Sequence, residues 1–153
     1  MTTATTSTEN ELVITRVFDA PRELVYEAWT DAEQLTAWLG PEGFTAHSVS
    51  GDVRPGGRWR SAIRSADGTE FWCSGEYRET VPPERLVFTF EWEDTDGSKP
   101  GENSVITVSL ADADGKTEMT FRQVGLESAD SRDGHTDGWQ QAFNKLAAHI
   151  AAK

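Results

Sequence analysis

Between residues 44 and 123, apolar side chains recur at alternate positions, in runs broken by turn-forming pairs. A period of two marks strands with one buried face. It predicts strands at 44–50, 57–64, 70–80, 85–92, 103–111 and 116–123, divided by Pro55-Gly56-Gly57, Asp67-Gly68, Pro82-Pro83, Asp96-Gly97 and Asp114-Gly115. Turns this short join antiparallel neighbours, because parallel pairing needs a long crossover. Ahead of this block, Leu12 to Phe18 (LVITRVF) is rich in β-branched residues and reads as a further strand. Asp19-Ala20-Pro21 ends it, and Pro21 pre-sets a first helical turn. Leu24, Val25, Ala28 and Trp29 then recur at helical spacing. A second short helix opens at Thr30 or Asp31, with Glu33 and Gln34 placed to complete a capping box, and Gly40-Pro41 stop it.

After residue 123 the period changes again. Asp130 to Gly138 is polar, contains glycine and reads as an approach segment. Trp139, Phe143, Leu146 and Ile150 follow at spacings of four, three and four, one apolar face of a long helix over 139–152. Residues 1–10, rich in Thr and Ser, are expected to be a flexible tail in front of a single domain spanning 11–153. A chain of 153 residues can bury a core without disulfides or metals.

The hairpin registers follow from which faces must be buried. Strand 57–64 sets Trp59, Ser61 and Ile63 on one face and Arg58, Arg60 and Arg64 on the other, so the arginine face looks to water. Matching Phe71, Cys73, Gly75 and Tyr77 to the inner face puts Ile63 opposite Phe71 and Trp59 opposite Gly75. That register needs the three-residue loop Ala66-Asp67-Gly68, with Gly68 left-handed. Gly75, in mid-strand against an indole, reads as a bend that gives the ring room. In the last hairpin, Met119 and Phe121 face the set Ile106, Val108 and Leu110 across a two-residue loop, Asp114-Gly115. Strand 85–92 sends Leu86, Phe88, Phe90 and Trp92 inward. The face of Arg16 stays open. One-sided alternation with one covering helix predicts an α+β fold in which a curved sheet wraps a C-terminal helix.

Six Trp, seven Phe and two Tyr give this interior an aromatic character. A strongly curved sheet around one helix encloses more space than a flat sandwich, so the set is read as the wall of a cavity rather than a filled core. Trp38, Phe44, Trp59, Phe71, Tyr77 and Phe88 belong to that wall, as do Phe90, Trp92, Phe121, Trp139 and Phe143. Ser61, Tyr77 and the indole N–H groups of Trp59, Trp92 and Trp139 are its candidate polar points. The entrance is expected between the Trp38–Phe44 segment, the start of the last helix and the loop 94–102 (DTDGSKPGE), a candidate lid.

Net charge, −12 with pI near 4.6, argues against nucleic acid and anionic membranes as partners, since both are bound through cationic neutralisation. No apolar run approaches the length of a membrane span, and the N-terminus lacks the pattern of a secretory signal, so a cytoplasmic protein is expected. Cys73 is the only cysteine, excluding an internal disulfide, and reads as an inert buried thiol. His47, His135 and His149 fall on a strand, a loop and the far end of the last helix, the last at the surface, with no metal-binding spacing. No nucleophile elbow or phosphate loop is present, so no catalytic residue, metal or cofactor is assigned. Arg58, Arg60, Arg64 and Arg78 are expected to pair with Glu76 and other acids on a solvated face.

Arg16-Val17-Phe18-Asp19-Ala20-Pro21, Ala28-Trp29-Thr30-Asp31, Arg54-Pro55-Gly56-Gly57-Arg58-Trp59, Pro82-Pro83-Glu84-Arg85-Leu86 and Gly138-Trp139 occur in that order. Together, over about residues 11–152, they resemble the SRPBCC (START-like, birch-pollen-allergen-like) superfamily. The branch is that of the bacterial relatives of the heat-shock-protein-90 ATPase activator domain, loosely called polyketide cyclase-like. The resemblance implies a helix-grip fold: a seven-stranded antiparallel sheet, two small helices and a long C-terminal helix closing a cavity. Function follows less directly, because one fold hosts many functions. Binding of a small hydrophobic or aromatic molecule in the cavity is the leading expectation. A protein-interaction domain is the first alternative. A cyclase or dehydratase-like enzyme is the second, and would need a cavity-facing acid–base group, for which Tyr77 and Glu79 are the nearest candidates. Monomer and homodimer both remain open.

Overall fold

The structure, a computed structural model, describes residues 3–8, 11–93, 104–126 and 129–152. In chain order the elements are β1 (Thr3–Thr8), β2 (Glu11–Phe18), α1 (Arg22–Thr30), α2 (Ala32–Trp38), β3 (Phe44–Gly51) and β4 (Arg58–Ser65). They continue with β5 (Glu70–Val81), β6 (Arg85–Trp92), β7 (Ser104–Ala113), β8 (Lys116–Val124) and α3 (Ala129–Ala151). The seven strands β2 to β8 form one antiparallel sheet in the order β2-β8-β7-β6-β5-β4-β3. The sheet curves as a half-barrel around α3, the expected α+β helix-grip arrangement.

Three local expectations change. Residues 3–8, expected as tail, pair antiparallel with β2, from Thr3 opposite Arg16 to Thr8 opposite Glu11, and make an eighth strand at the edge. Four of the six are threonines, whose β-branched side chains suit a strand once a free edge offers partners. At α2, Asp31 caps the helix by accepting from the Glu33 N–H at 3.2 Å. The box is not closed: the Gln34 side chain donates to Glu27 Oε1 at 2.6 Å and to Asp31 Oδ2 at 3.2 Å, while the Asp31 N–H goes to the Glu27 carbonyl. Finally, α3 starts at Ala129, and the stretch read as an approach is helical. Gly134 and Gly138 each cost a helix about 1 kcal/mol relative to alanine. Once the packed second half of α3 has nucleated, that cost does not stop the extension, and Asp130 in the first turn favours the helix dipole.

The register expectations hold. Ile63 faces Phe71 and Trp59 faces Gly75, across a loop in which Gly68 has φ +91°. Val108 faces Phe121 and Leu110 faces Met119, across Asp114 (φ 57°) and Gly115 (φ 85°). Two positive φ values in a two-residue loop are the mirror-type turn that matches strand twist. Irregularities between Ala46 and Ser48 in β3, and between Tyr77 and Glu79 in β5, bend the sheet where it must close over the helix.

On the β2-β8-β7 side the sheet and helix meet in a solid core. Leu12, Ile14, Ile106, Val108, Met119 and Phe121 are buried there, with Phe143 and Leu146. Arg16 lies toward this side: its Nη1 donates to Asn144 Oδ1 at 2.7 Å, while its Nε is buried without a partner. On the outer face of β4 and β5, Arg60 makes two hydrogen bonds to Glu93, at 2.9 and 3.1 Å, and lies over the Trp72 ring at 4.0 Å. Arg64 pairs with Glu70 at 2.9 Å, so two of the four arginines expected on this face pair with acids, and with Glu93 and Glu70 rather than Glu76. No helix among the described residues is long and apolar enough to cross a membrane.

Candidate functional site

Where β4, β5 and β6 curl away from α3, the interior is hollow. The cavity measures about 490 Å³, within the roughly 300–1,000 Å³ range of small-molecule sites. Strand alternation builds its sheet wall: Trp59, Ser61 and Ile63 from β4, Phe71, Cys73 and Tyr77 from β5, and Leu86, Phe88, Phe90 and Trp92 from β6. The other wall comes from Trp29, Leu35 and Leu39, from Pro41 and Phe44, and from the α3 residues Gly134, His135, Gly138, Trp139 and Ala142. Nine expected wall residues thus lie on the cavity: Phe44, Trp59, Ser61, Phe71, Tyr77, Phe88, Phe90, Trp92 and Trp139. Of the segments expected to frame an entrance, Leu39, Gly40, Pro41 and Phe44, with Gly134, His135 and Gly138 of α3, line the cavity; Phe71, 43% exposed, has its ring 5.8 Å from that of Phe44. The candidate lid 94–102 lies outside the described residues.

Trp38, Phe121 and Phe143 do not reach the cavity; they are fully buried in the core. They pack instead against rings that do line it: Trp29, placed by the sequence on a helix face but not in the wall, lies 4.9 Å from Trp38, 6.1 Å from Phe121 and 6.0 Å from Phe143, and Trp139 lies 4.8 Å from Phe121 and 5.7 Å from Phe143. The helical spacing that marked Trp29 as inward-facing was the available signal. Depth was not legible, because periodicity gives a direction and not a distance.

Glycine makes part of the room. Gly134 and Gly138 are one helical turn apart on the cavity side of α3. A Cβ at 134 would have no neighbour within 4 Å, and one at 138 would meet only Pro41, at 3.9 Å. On the opposite wall, Gly75 is forced: a Cβ there would lie 1.9 Å from the Thr89 carbonyl oxygen and 2.7 Å from the Trp59 Nε1.

The polar points differ from expectation. All three indoles proposed for a guest are already engaged: Trp59 with the Thr89 carbonyl, Trp92 with His135 Nε2 and Trp139 with Gln123 Oε1, each at 3.1 Å. Trp139 and Gln123 belong to a buried network in which Gln123 donates to Ser104 and Ser104 to the Phe90 carbonyl, tying α3 to the sheet. A buried indole N–H finds a partner within its own fold when one is in reach. The Trp29 N–H is sealed in with no partner among the described residues, whereas the Tyr77 hydroxyl, which makes no hydrogen bond to them either, is on the cavity wall. His135, expected in a loop, is on α3, and His149, expected at the surface, is half-buried with Nε2 3.0 Å from Gln34 Oε1. Glu79 is not on the wall and pairs with Arg85 at 3.5 Å. No cluster of metal-binding side chains occurs among the described residues.

Burial pushes the Cys73 thiol up to about 12 and the Tyr77 hydroxyl up to about 12. Both groups are neutral when protonated, so the unfolded chain ionises first as pH rises. Their contribution to stability is complete below about pH 9, where a free thiol begins to ionise, and is lost as pH rises toward 12. Urea melts from pH 7 to 11 should show declining stability above about pH 9, with a shallower decline in Cys73→Ala.

Residues 19–151 match the family described as "Activator of Hsp90 ATPase homolog 1-like protein". The chain belongs to this family. Solved structures agree with that membership. A protein from Chromobacterium violaceum is 33% identical, with a TM-score of 0.84, covering 92% of this chain and 96% of that one. The AHSA1 protein of Silicibacter pomeroyi is 26% identical with a TM-score of 0.84, over 93% and 98% of the two chains. A protein from Arthrobacter aurescens shares the fold, with a TM-score of 0.89 at 22% identity over 98% and 92%. No curated protein matches the chain.

Proposed function

We propose that this member of the family binds a small hydrophobic or aromatic molecule between the sheet and α3. The observation that carries the reading is an aromatic-walled space of about 490 Å³ beside a core that is otherwise solidly packed. The hydrophobic effect disfavours leaving so much apolar surface against water, and a guest that replaces that water recovers part of the difference. No Asp or Glu side chain stands among the described lining residues, burial holds the Tyr77 hydroxyl up at about 12, and His135 Nε2 already accepts from the Trp92 N–H, so binding is favoured over the cyclase-like reading.

Gly138→Leu tests it. The added side chain has space to enter the cavity and removes a helix-weakening glycine. Binding of the neutral dye Nile red, followed by fluorescence, is expected to weaken more than tenfold while the melting temperature stays level or rises. Unchanged dye affinity in this variant would refute cavity binding. Native mass spectrometry of the freshly purified protein should show a co-purified small molecule that the variant lacks.

A protein partner is the second reading. The family description names activation of the Hsp90 ATPase, and Phe71, 43% exposed beside Phe44, is the observation that favours a contact surface. An ATPase assay of the chaperone with and without this protein separates the two.

A further inference from the structure

Given a guest in the cavity, as proposed above, the walls select among guests. No Asp, Glu, Lys or Arg stands among the described lining residues. A carboxylate or ammonium group entering this space would shed its water and meet none of these partners, and the lining imidazole of His135 is already engaged by the Trp92 N–H, so entry is costly. For an anion, the net charge of −12 adds long-range repulsion. The site therefore suits a neutral molecule.

The donors narrow the choice further. The Trp59, Trp92 and Trp139 indoles are bonded within the protein. The lining hydroxyls of Thr30 and Ser50 donate to carbonyls, and Ser61 pairs with the Cys73 sulfur at 3.3 Å. The Tyr77 hydroxyl stands apart. Its residue is only 6% exposed, yet the oxygen makes no hydrogen bond to the described residues. Burial, with the nearby Tyr26 phenol as a smaller cause, keeps it protonated across the physiological range. The O–H therefore opens onto the cavity, where a guest's acceptor can take the hydrogen bond that none of the described residues takes. Around it the walls are flat: Tyr77 and Trp59 pack edge-on to Phe88 at 6.0 and 5.8 Å, and Phe90 lies 5.6 Å from Trp59. Such surfaces suit a planar ring system.

We infer that the guest is a neutral aromatic molecule bearing an acceptor oxygen, of the ketone, quinone or aryl ether kind, and that this oxygen accepts a hydrogen bond from the Tyr77 hydroxyl. Three matched probes test this: 2-acetylnaphthalene, 2-ethylnaphthalene and 2-naphthoate, each titrated into wild type and Tyr77→Phe by tryptophan fluorescence and thermal shift. In wild type the ketone should bind about tenfold tighter than the ethyl compound, and the carboxylate should bind weakest. In Tyr77→Phe the ratio of ketone to ethyl dissociation constants should collapse toward one. Equal binding of ketone and ethyl probes to wild type overturns the assignment, as does a carboxylate that binds as well as the ketone. A ketone preference that survives in Tyr77→Phe does the same. The wild-type comparison stands even if the variant unfolds. Should none of the probes bind at millimolar concentration, the cavity-binding reading falls and this assignment with it, whereas equal binding removes the assignment alone.

Discussion

Gly75→Ala is expected to yield little or no folded protein. Its new methyl would sit 1.9 Å from the Thr89 carbonyl oxygen, 2.6 Å from the carbonyl carbon and 2.7 Å from the Trp59 indole nitrogen. The first two are backbone atoms of the adjacent strand and cannot swing aside. β5 and β6 would have to separate here, and Trp59 would have to give up its hydrogen bond to the same carbonyl. We expect a loss of more than about 4 kcal/mol, beyond the ordinary run of single substitutions. Urea denaturation and one-dimensional proton NMR measure it. A variant that folds with wild-type stability would mean that the curl of β5 is not as described.

Phe143→Ala is the second large effect, and it gains meaning beside Phe90→Ala. Phe143 is fully buried and touches rings on every side: Phe121 at 5.3 Å, Trp139 at 5.7 Å, Trp29 at 6.0 Å and Trp38 at 6.4 Å. Removing a phenyl ring from such a site costs about 3–5 kcal/mol through lost transfer and a new void. Phe90 presents one side to a space that is already empty. It meets four rings as Phe143 does, namely Trp92 at 5.3 Å, Trp59 at 5.6 Å and His135 and Trp139 at 6.1 Å, but its cavity-facing side has no contacts to lose, and its truncation should cost at least about 1 kcal/mol less than that of Phe143. Chemical denaturation of both variants decides. Equal costs would indicate that the interior near Phe90 is filled in solution.

Much of this molecule was legible in its sequence. The clean alternation of Leu86, Phe88, Phe90 and Trp92 identified the inner face of β6, and all four residues reach the cavity. The β4–β5 register followed from burying Trp59 while exposing three arginines, and a one-residue slip would have reversed both. Legibility stopped where distance along the inward direction mattered. Trp38, Phe121 and Phe143 point inward as truly as Trp139 does, but they pack against the wall rings Trp29 and Trp139 and do not line the hollow themselves. Hydrogen-bond pairing was hidden for a similar reason. That Trp139 and Gln123, sixteen positions apart, would satisfy each other depends on how α3 lies on β8. The first ten residues of α3 escaped because glycines were weighed as stops, whereas the anchored helix runs through them.

Those same two glycines set room against rigidity. Each one leaves the terminal helix looser than an alanine would, and each leaves empty space beside the aromatic wall. Selection for a firmer molecule and selection for a larger guest therefore pull position 138 in opposite directions. The size of what the protein accepts can drift through one side chain on the helix while the sheet, held by Gly75 and its registers, stays as it is.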